Sequence, residues 1–279
     1  MNHSITLELQ IAFSQHLRLE EKSSATIDKY SRDVRTFVEF VCGHEIDKAL
    51  VLEYKNALLD RYTVTSANSM LAALNAFFRF CGWFELTVKR FRIQRESFYT
   101  EEKELTHREY MRLVSTADRR GDERLSLVLQ TICSTGIRVS ELAYITVNAV
   151  KRGEARVSCK GKTRRIFLVP ELCKKLWAYV KGRGIKDGCV FVTESGRPLN
   201  RTSIWRAMKS LCHDAGVAAT KVFPHNLRHL FARIFYSMQK DIVSLADLLG
   251  HASINTTRIY TITTGKTHKQ KMRQMKLVI

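Results

Sequence analysis

Apolar residues return at three- and four-residue intervals from about Ile5 to Gly82, lose that rhythm at Glu85, and resume it after Thr106. No other feature constrains the fold as much, because a helical apolar stripe has to be buried against another one. Two helical units joined by a charged linker are therefore expected. In the first, Leu7, Ile11 and Phe13/Leu17 recur at helical spacing. A second helix starts near Ser24, with Ile27, Tyr30, Val34, Phe37, Val38 and Val41 on one face and Gly43 just past its end. A third covers about Asp47 to Arg61, and a fourth runs from Ser66 through Leu71, Leu74, Phe77 and Phe78 to Gly82. Short polar turns separate them, so residues 1–84 read as a four-helix bundle. From 85 to 104 charges dominate (Lys89, Arg90, Arg92, Arg95, Glu101, Glu102 and Glu104), and this stretch reads as the linker.

The second unit, residues 105–279, opens on Thr106 as an N-cap, with helices expected over about His107–Arg119 and Asp122–Ser134. Gly136 breaks the chain and a short helix begins near Val139. Between Ala155 and Val169 the pattern changes to two short strands, Arg156–Cys159 and Arg164–Val169, joined by Lys160-Gly161-Lys162-Thr163. Helices resume at Glu171–Lys181, Thr202–Ala215, Pro224–Ser237, Ile242–Leu249 and Ser253–Thr261. The fold class is mainly α with one small antiparallel β-sheet. No internal repeat or low-complexity segment interrupts it.

Charge separates the two units further. Residues 1–95 carry +2 of the net +19 and residues 96–279 carry +17. So basic a unit repels itself, and a polyanionic partner is the simplest explanation, ahead of a merely solvated surface. Seven scattered cysteines without a C-x-x-C pair suggest reduced thiols in a cytoplasmic protein. No apolar run approaches membrane-span length.

Within the basic unit, four places carry chemistry. Pro224 suits the first position of a helix, which puts His225 and Arg228 together in its opening turn, where free N–H groups favour an anion. Arg138 follows the Gly136 break with Glu141 three residues on, a fork of donors with a carboxylate to hold it. Lys160 sits at the hairpin turn, able to act as a charge or a proton donor. Tyr260 lies about 10 Å along a helix starting near Ser253. Its phenol, with a pKa of about 10, needs neighbouring cations or a base to become a nucleophile. His251, at the Gly250 break, is close enough in sequence to share its pocket. Each has an ordinary reading on its own: a cap, a surface ion pair, a solvated lysine, a core tyrosine. Together they complete one mechanism, the cutting of a phosphodiester without metal.

Thr135-Gly136-Ile137-Arg138-Val139-Ser140-Glu141-Leu142, His225-Asn226-Leu227-Arg228-His229 and the run from Leu249-Gly250-His251 to Tyr260 resemble the signature boxes of the tyrosine recombinase (phage integrase) family. The resemblance covers most of residues 105–265, and the helical region before it looks like that family's SAM-like core-binding domain in architecture and size. It implies that Arg138 and Arg228 clamp the scissile phosphate, that His225 and His251 hydrogen-bond it or steer protons, and that His225 accepts the tyrosine's proton. Lys160, with Lys162 as the fallback, protonates the 5′-oxygen, and Tyr260 forms a 3′-phosphotyrosyl link. It implies no metal and no nucleotide cofactor, and no carboxylate cluster suited to Mg²⁺ is visible. The partners implied are a double-stranded DNA recombination site, accessory proteins and further copies of the chain, four protomers working on two duplexes. The basic tail from Thr261, ending in Leu277-Val278-Ile279, is expected to dock on a neighbouring protomer. With the bundle starting near Ile5, no arm-binding module is expected before it. Two alternatives stay open: a type IB topoisomerase-like relaxer, and a catalytically silent DNA-binding regulator on the same scaffold.

Overall fold

The computed structural model describes residues 3–93, 104–159, 162–251, 253–260 and 273–275, with Cys159 and Lys162 described by their backbone alone. It divides into two compact units, residues 1–95 and 96–279.

The first unit is built from α1 (Leu7–Leu19), α2 (Ser24–Val41), α3 (Lys48–Arg61) and α4 (Val64–Phe80). Each begins on a side chain that accepts from the N–H three residues on: Thr6, Ser23, Asp47 and Thr63. These caps satisfy donors that the first helical turn leaves unpaired. Phe37, Phe77 and Phe78 are fully buried at the centre of the bundle. The inward face of α1 differs from the expected one. Phe13 and Leu17 are buried, with Leu9 packed against them, but Leu7 is 72% and Ile11 51% exposed. Spacing alone assigned both stripes, and contact with α2 and α4 selects only the 9/13/17 row.

The apolar rhythm fails at Glu85, yet Leu86 and Val88 belong to this core. Asn75 explains how an unpatterned strip is held: its side chain both donates to the Val88 carbonyl and accepts from the Val88 N–H, at 2.8 and 2.9 Å. One turn-pair earlier on α4, Asn68 does the same for Phe91. Two amides thus stand in for a neighbouring strand.

The second unit packs α5 (His107–Arg119) against α6 (Glu123–Thr135), followed by a 3₁₀ turn over Val139–Tyr144 and a short α7 (Val147–Arg152). Thr106 caps α5 in a full capping box with Glu109. Strands β1 (Glu154–Cys159) and β2 (Lys162–Phe167) pair antiparallel with Cys159 opposite Lys162. The hairpin loop is therefore Lys160-Gly161, two residues shorter than expected. Then come α8 (Pro170–Gly182), α9 (Arg201–Ser210), α10 (Cys212–Ala215), α11 (Pro224–Gln239), α12 (Ile242–Leu249) and α13 (Ile254–Thr257), which passes into a 3₁₀ turn over Arg258–Tyr260. Three details depart from expectation. α7 is too short to show a period, the single helix over Thr202–Ala215 is two, and the last helix is one turn plus a 3₁₀ turn. Leu113, Leu129, Ile132, Leu176 and Leu227 are the buried heart of this unit. A smaller cluster of Ala232, Leu245, Leu249 and Tyr260 closes its end. Among the described residues no helix is long and apolar enough to cross a membrane.

Candidate active site

Gly136 ends α6 in the left-handed region, at φ +64°. A Cβ there would stand 2.5 Å from Phe231 Cδ1, so only glycine lets α6 end against α11. That close approach leaves the Gly136 carbonyl facing Arg228, which donates to it at 2.6 Å. Arg228 also donates to the Leu249 carbonyl at the end of α12, at 2.7 Å, and to His251 Nε2 at 3.0 Å. Arg228 is 2% exposed, and Tyr260, stacked on His251, lies close enough to act on its charge. Burial and then Arg138 push its pKa down to about 10, still far above neutrality. A buried cation is thus held by two carbonyls and an imidazole.

Arg138 lies beside it, half exposed. The buried Glu141 carboxylate accepts from the Arg138 N–H and from its Nη1, both at 2.9 Å. The same carboxylate accepts from Arg164 Nη2 on β2. Burial opposes ionisation of Glu141, but the Arg138 N–H and the two guanidinium groups outweigh it and hold its pKa below the usual carboxylate range. Two arginines therefore share one carboxylate, and with Arg228 near both the site keeps net positive charge where an anion would fit.

Tyr260 is 4% exposed. Its ring stacks on His251 with centroids 5.9 Å apart and meets His229 edge-on at 4.6 Å. His229 in turn meets His225 edge-on at 4.6 Å. Because Arg228 donates to His251 Nε2, the His251 proton sits on Nδ1 and is donated to Thr257 Oγ1 at 2.8 Å. Burial, then Arg228 and Arg138, lower its pKa to about 4. His229 is pushed to about 3 by burial first and His225 second. His225, on the solvent side of α11, is lowered in the same sense by partial desolvation of its ring and then by Arg228, Arg138 and Arg201.

These shifts set a pH dependence. All three histidines bind protons more weakly when folded, so stability is full above the unfolded imidazole pKa of about 6.5 and falls as pH drops below it. The loss continues toward the folded values of about 4 and about 3. A chemical denaturation midpoint lower at pH 5 than at pH 7.5 is expected, with the difference reduced in His229→Asn/His251→Asn. An unchanged pH difference in that variant would refute this assignment.

The fold thus brings together Arg138, His225, Arg228, His251 and Tyr260 from segments more than a hundred residues apart. Lys160 lies outside the described residues, as does the tail from Thr261 except residues 273–275, and nothing is described of the Lys162 side chain. Among the described residues no group of three or more His, Cys, Asp or Glu could hold a metal ion. Two contributors escaped the sequence reading, Arg164 and Thr257. Arg164 had a signal: period-2 alternation puts it on the same face as buried Ile166 and Leu168. Thr257 had none, since its role depends on where His251 points.

The family model for the phage integrase family matches residues 103–266, and that for the phage integrase N-terminal SAM-like domain matches residues 11–83. The chain is 31% identical over 276 residues to the tyrosine recombinase XerA of Pyrococcus furiosus, covering 95% of this chain and 93% of that one. The XerH site-specific recombinase in a pre-cleavage complex with its difH substrate superposes with a TM-score of 0.71 at 19% identity, covering 93% and 83% of the two chains. The lambda integrase tetramer bound to a Holliday junction gives 0.73 at 19% identity, covering 92% and 78%. At such identities the structural likeness is one of fold.

Proposed function

The chain belongs to the phage integrase family of tyrosine recombinases, and on that premise we propose that it is a site-specific recombinase cutting and rejoining DNA through a 3′-phosphotyrosyl intermediate. The observation that carries this reading is the stacking of buried Tyr260 on His251, the imidazole that accepts from buried Arg228, with the charge of Arg138 beside them. A tyrosine held only for packing does not need a desolvated guanidinium and a polarised imidazole beside it.

In this reading the Tyr260 oxygen bonds to phosphorus as the bond to the 5′-oxygen breaks. His225 takes the phenol proton and Lys160 supplies one to the departing 5′-oxygen. Arg138 and Arg228 hold the non-bridging oxygens, where charge accumulates in the transition state. His251, neutral in the folded protein, orients Arg228 through Nε2. A 5′-hydroxyl from another strand reverses the step, so bond energy is conserved and neither metal nor nucleotide is consumed. Because the ring is 4% exposed, the segment from Ser253 must shift toward solvent for attack. One helical turn and a 3₁₀ turn hold it, a small number of bonds to rearrange. The basic charge of residues 96–279 supplies the sequence-independent grip on the duplex. As with the lambda integrase tetramer on its junction, four copies are proposed to act on two duplexes, in the cytoplasm and on the nucleoid.

The test is to incubate the protein with nicked, sheared genomic DNA in EDTA without ATP, and to recover SDS-resistant protein–DNA adducts. Adduct joined through tyrosine, enriched at one sequence, is expected. Adduct that requires Mg²⁺ would overturn the metal-free mechanism. Binding without adduct would favour the silent regulator, and relaxation of supercoils without site preference the type IB-like enzyme.

A further inference from the structure

From the bridge that its guanidinium forms, we infer that Arg164 is a positioning residue setting the spacing of the two phosphate-clamping arginines. The inference rests on the recombinase reading. Arg138 reaches the site from the turn after α6, whereas Arg228 and His251 reach it from α11 and the end of α12. Arg164, on neither, ties them together: Nη2 donates to Glu141 Oε2, the carboxylate that holds Arg138, and Nη1 donates to the Leu248 carbonyl, each at 2.5 Å. The next carbonyl, Leu249, is one of those that hold Arg228. One planar fork thus spans the two halves of the clamp, which a lysine could not do.

Two further observations favour this role over simple support of the fold. The Arg164 side chain is 13% exposed, and its Nε–H is buried without a partner among the described groups. A cation buried with an unpaired donor contributes poorly to stability. The path of its stem is also reserved. Gly250 lies at φ +64°, and a Cβ there would overlap Arg164 Cδ. Glycine at that position therefore serves both the turn that presents His251 and the passage of Arg164.

The test compares wild type, Arg164→Met, Arg164→Lys and Gly250→Ala on the trapped site DNA. Adduct formation by Arg164→Met is expected to slow by on the order of tenfold to a hundredfold, as misplacement of a clamp does, with DNA affinity within about twofold. Arg164→Lys recovers part of the rate. The double variant Arg164→Met/Gly250→Ala is no slower than the worse single, because both break the same bridge. Losing Arg164 also removes a charge that keeps Glu141 ionised, so the acid limb of the cleavage profile moves to higher pH. Crystal structures of wild type and Arg164→Met provide an arm that needs no activity: the distance between the Arg138 and Arg228 guanidinium groups should change. An unchanged distance overturns the inference, as do an unmoved acid limb with a wild-type rate, or loss of fold in both Arg164 variants. Absence of adduct from wild type would instead sink the recombinase reading, and the guanidinium distance would still decide the role of Arg164.

Discussion

Tyr260→Phe should bind its DNA site as wild type does and yield no covalent adduct, a loss of at least about 10³-fold in cleavage. The substitution removes one oxygen and keeps the ring between His229 and His251. The cost to the fold is small, because the buried ring and its two histidine contacts remain. Thermal unfolding will therefore shift little, and the basic surface is untouched. Affinity is spread over many phosphate contacts, none of which needs this hydroxyl. Electrophoretic mobility shift measures binding, and SDS-resistant adduct on a nicked substrate measures cleavage. If Tyr260→Phe still traps DNA, the nucleophile lies elsewhere and the assignment of the site is wrong.

The second large effect is that of Arg228. Truncation to alanine leaves the Gly136 and Leu249 carbonyls and the His251 Nε2 without their shared donor. Each orphaned group costs about 1–3 kcal/mol, so destabilisation of several kcal/mol is expected alongside the loss of activity. Arg228→Lys separates the two. It keeps a positive charge but cannot reach two carbonyls and a phosphate at once. Its cleavage rate should fall by about 10²–10³-fold, the usual cost of removing one preorganised donor from an oxyanion. Equilibrium affinity should change by less than about threefold, because one phosphate among many is affected. The ratio of single-turnover cleavage rate to dissociation constant gives the answer. Equal losses in both would mean that Arg228 only binds DNA.

Several elements were legible from local pattern because local rules govern them. The Thr106 cap, α2, α12 and the opening proline of α11 lie where spacing and cap chemistry put them. The α1 face, the length of the hairpin loop and the break up of the last helix were not legible. Each is decided by a partner distant in sequence, as when α2 and α4 choose between two possible stripes on α1. Asn68 and Asn75 make the same point. Their amides are unremarkable in a sequence, and only the fold shows them pinning Val88 and Phe91.

What the sequence determined by itself was the inventory: two helical units, the concentration of positive charge in the second, and the arginine, histidine and tyrosine side chains of the family's signature boxes. Those follow from composition, period and short motifs, all properties of neighbours along the chain. Tertiary structure alone decided how the inventory is wired. It buries Arg228 among carbonyls, fixes the His251 proton on Nδ1, and carries Arg164 past Gly250 to Glu141. Such contacts join residues up to about a hundred positions apart, and their geometry exists only once packing has closed the distance between them.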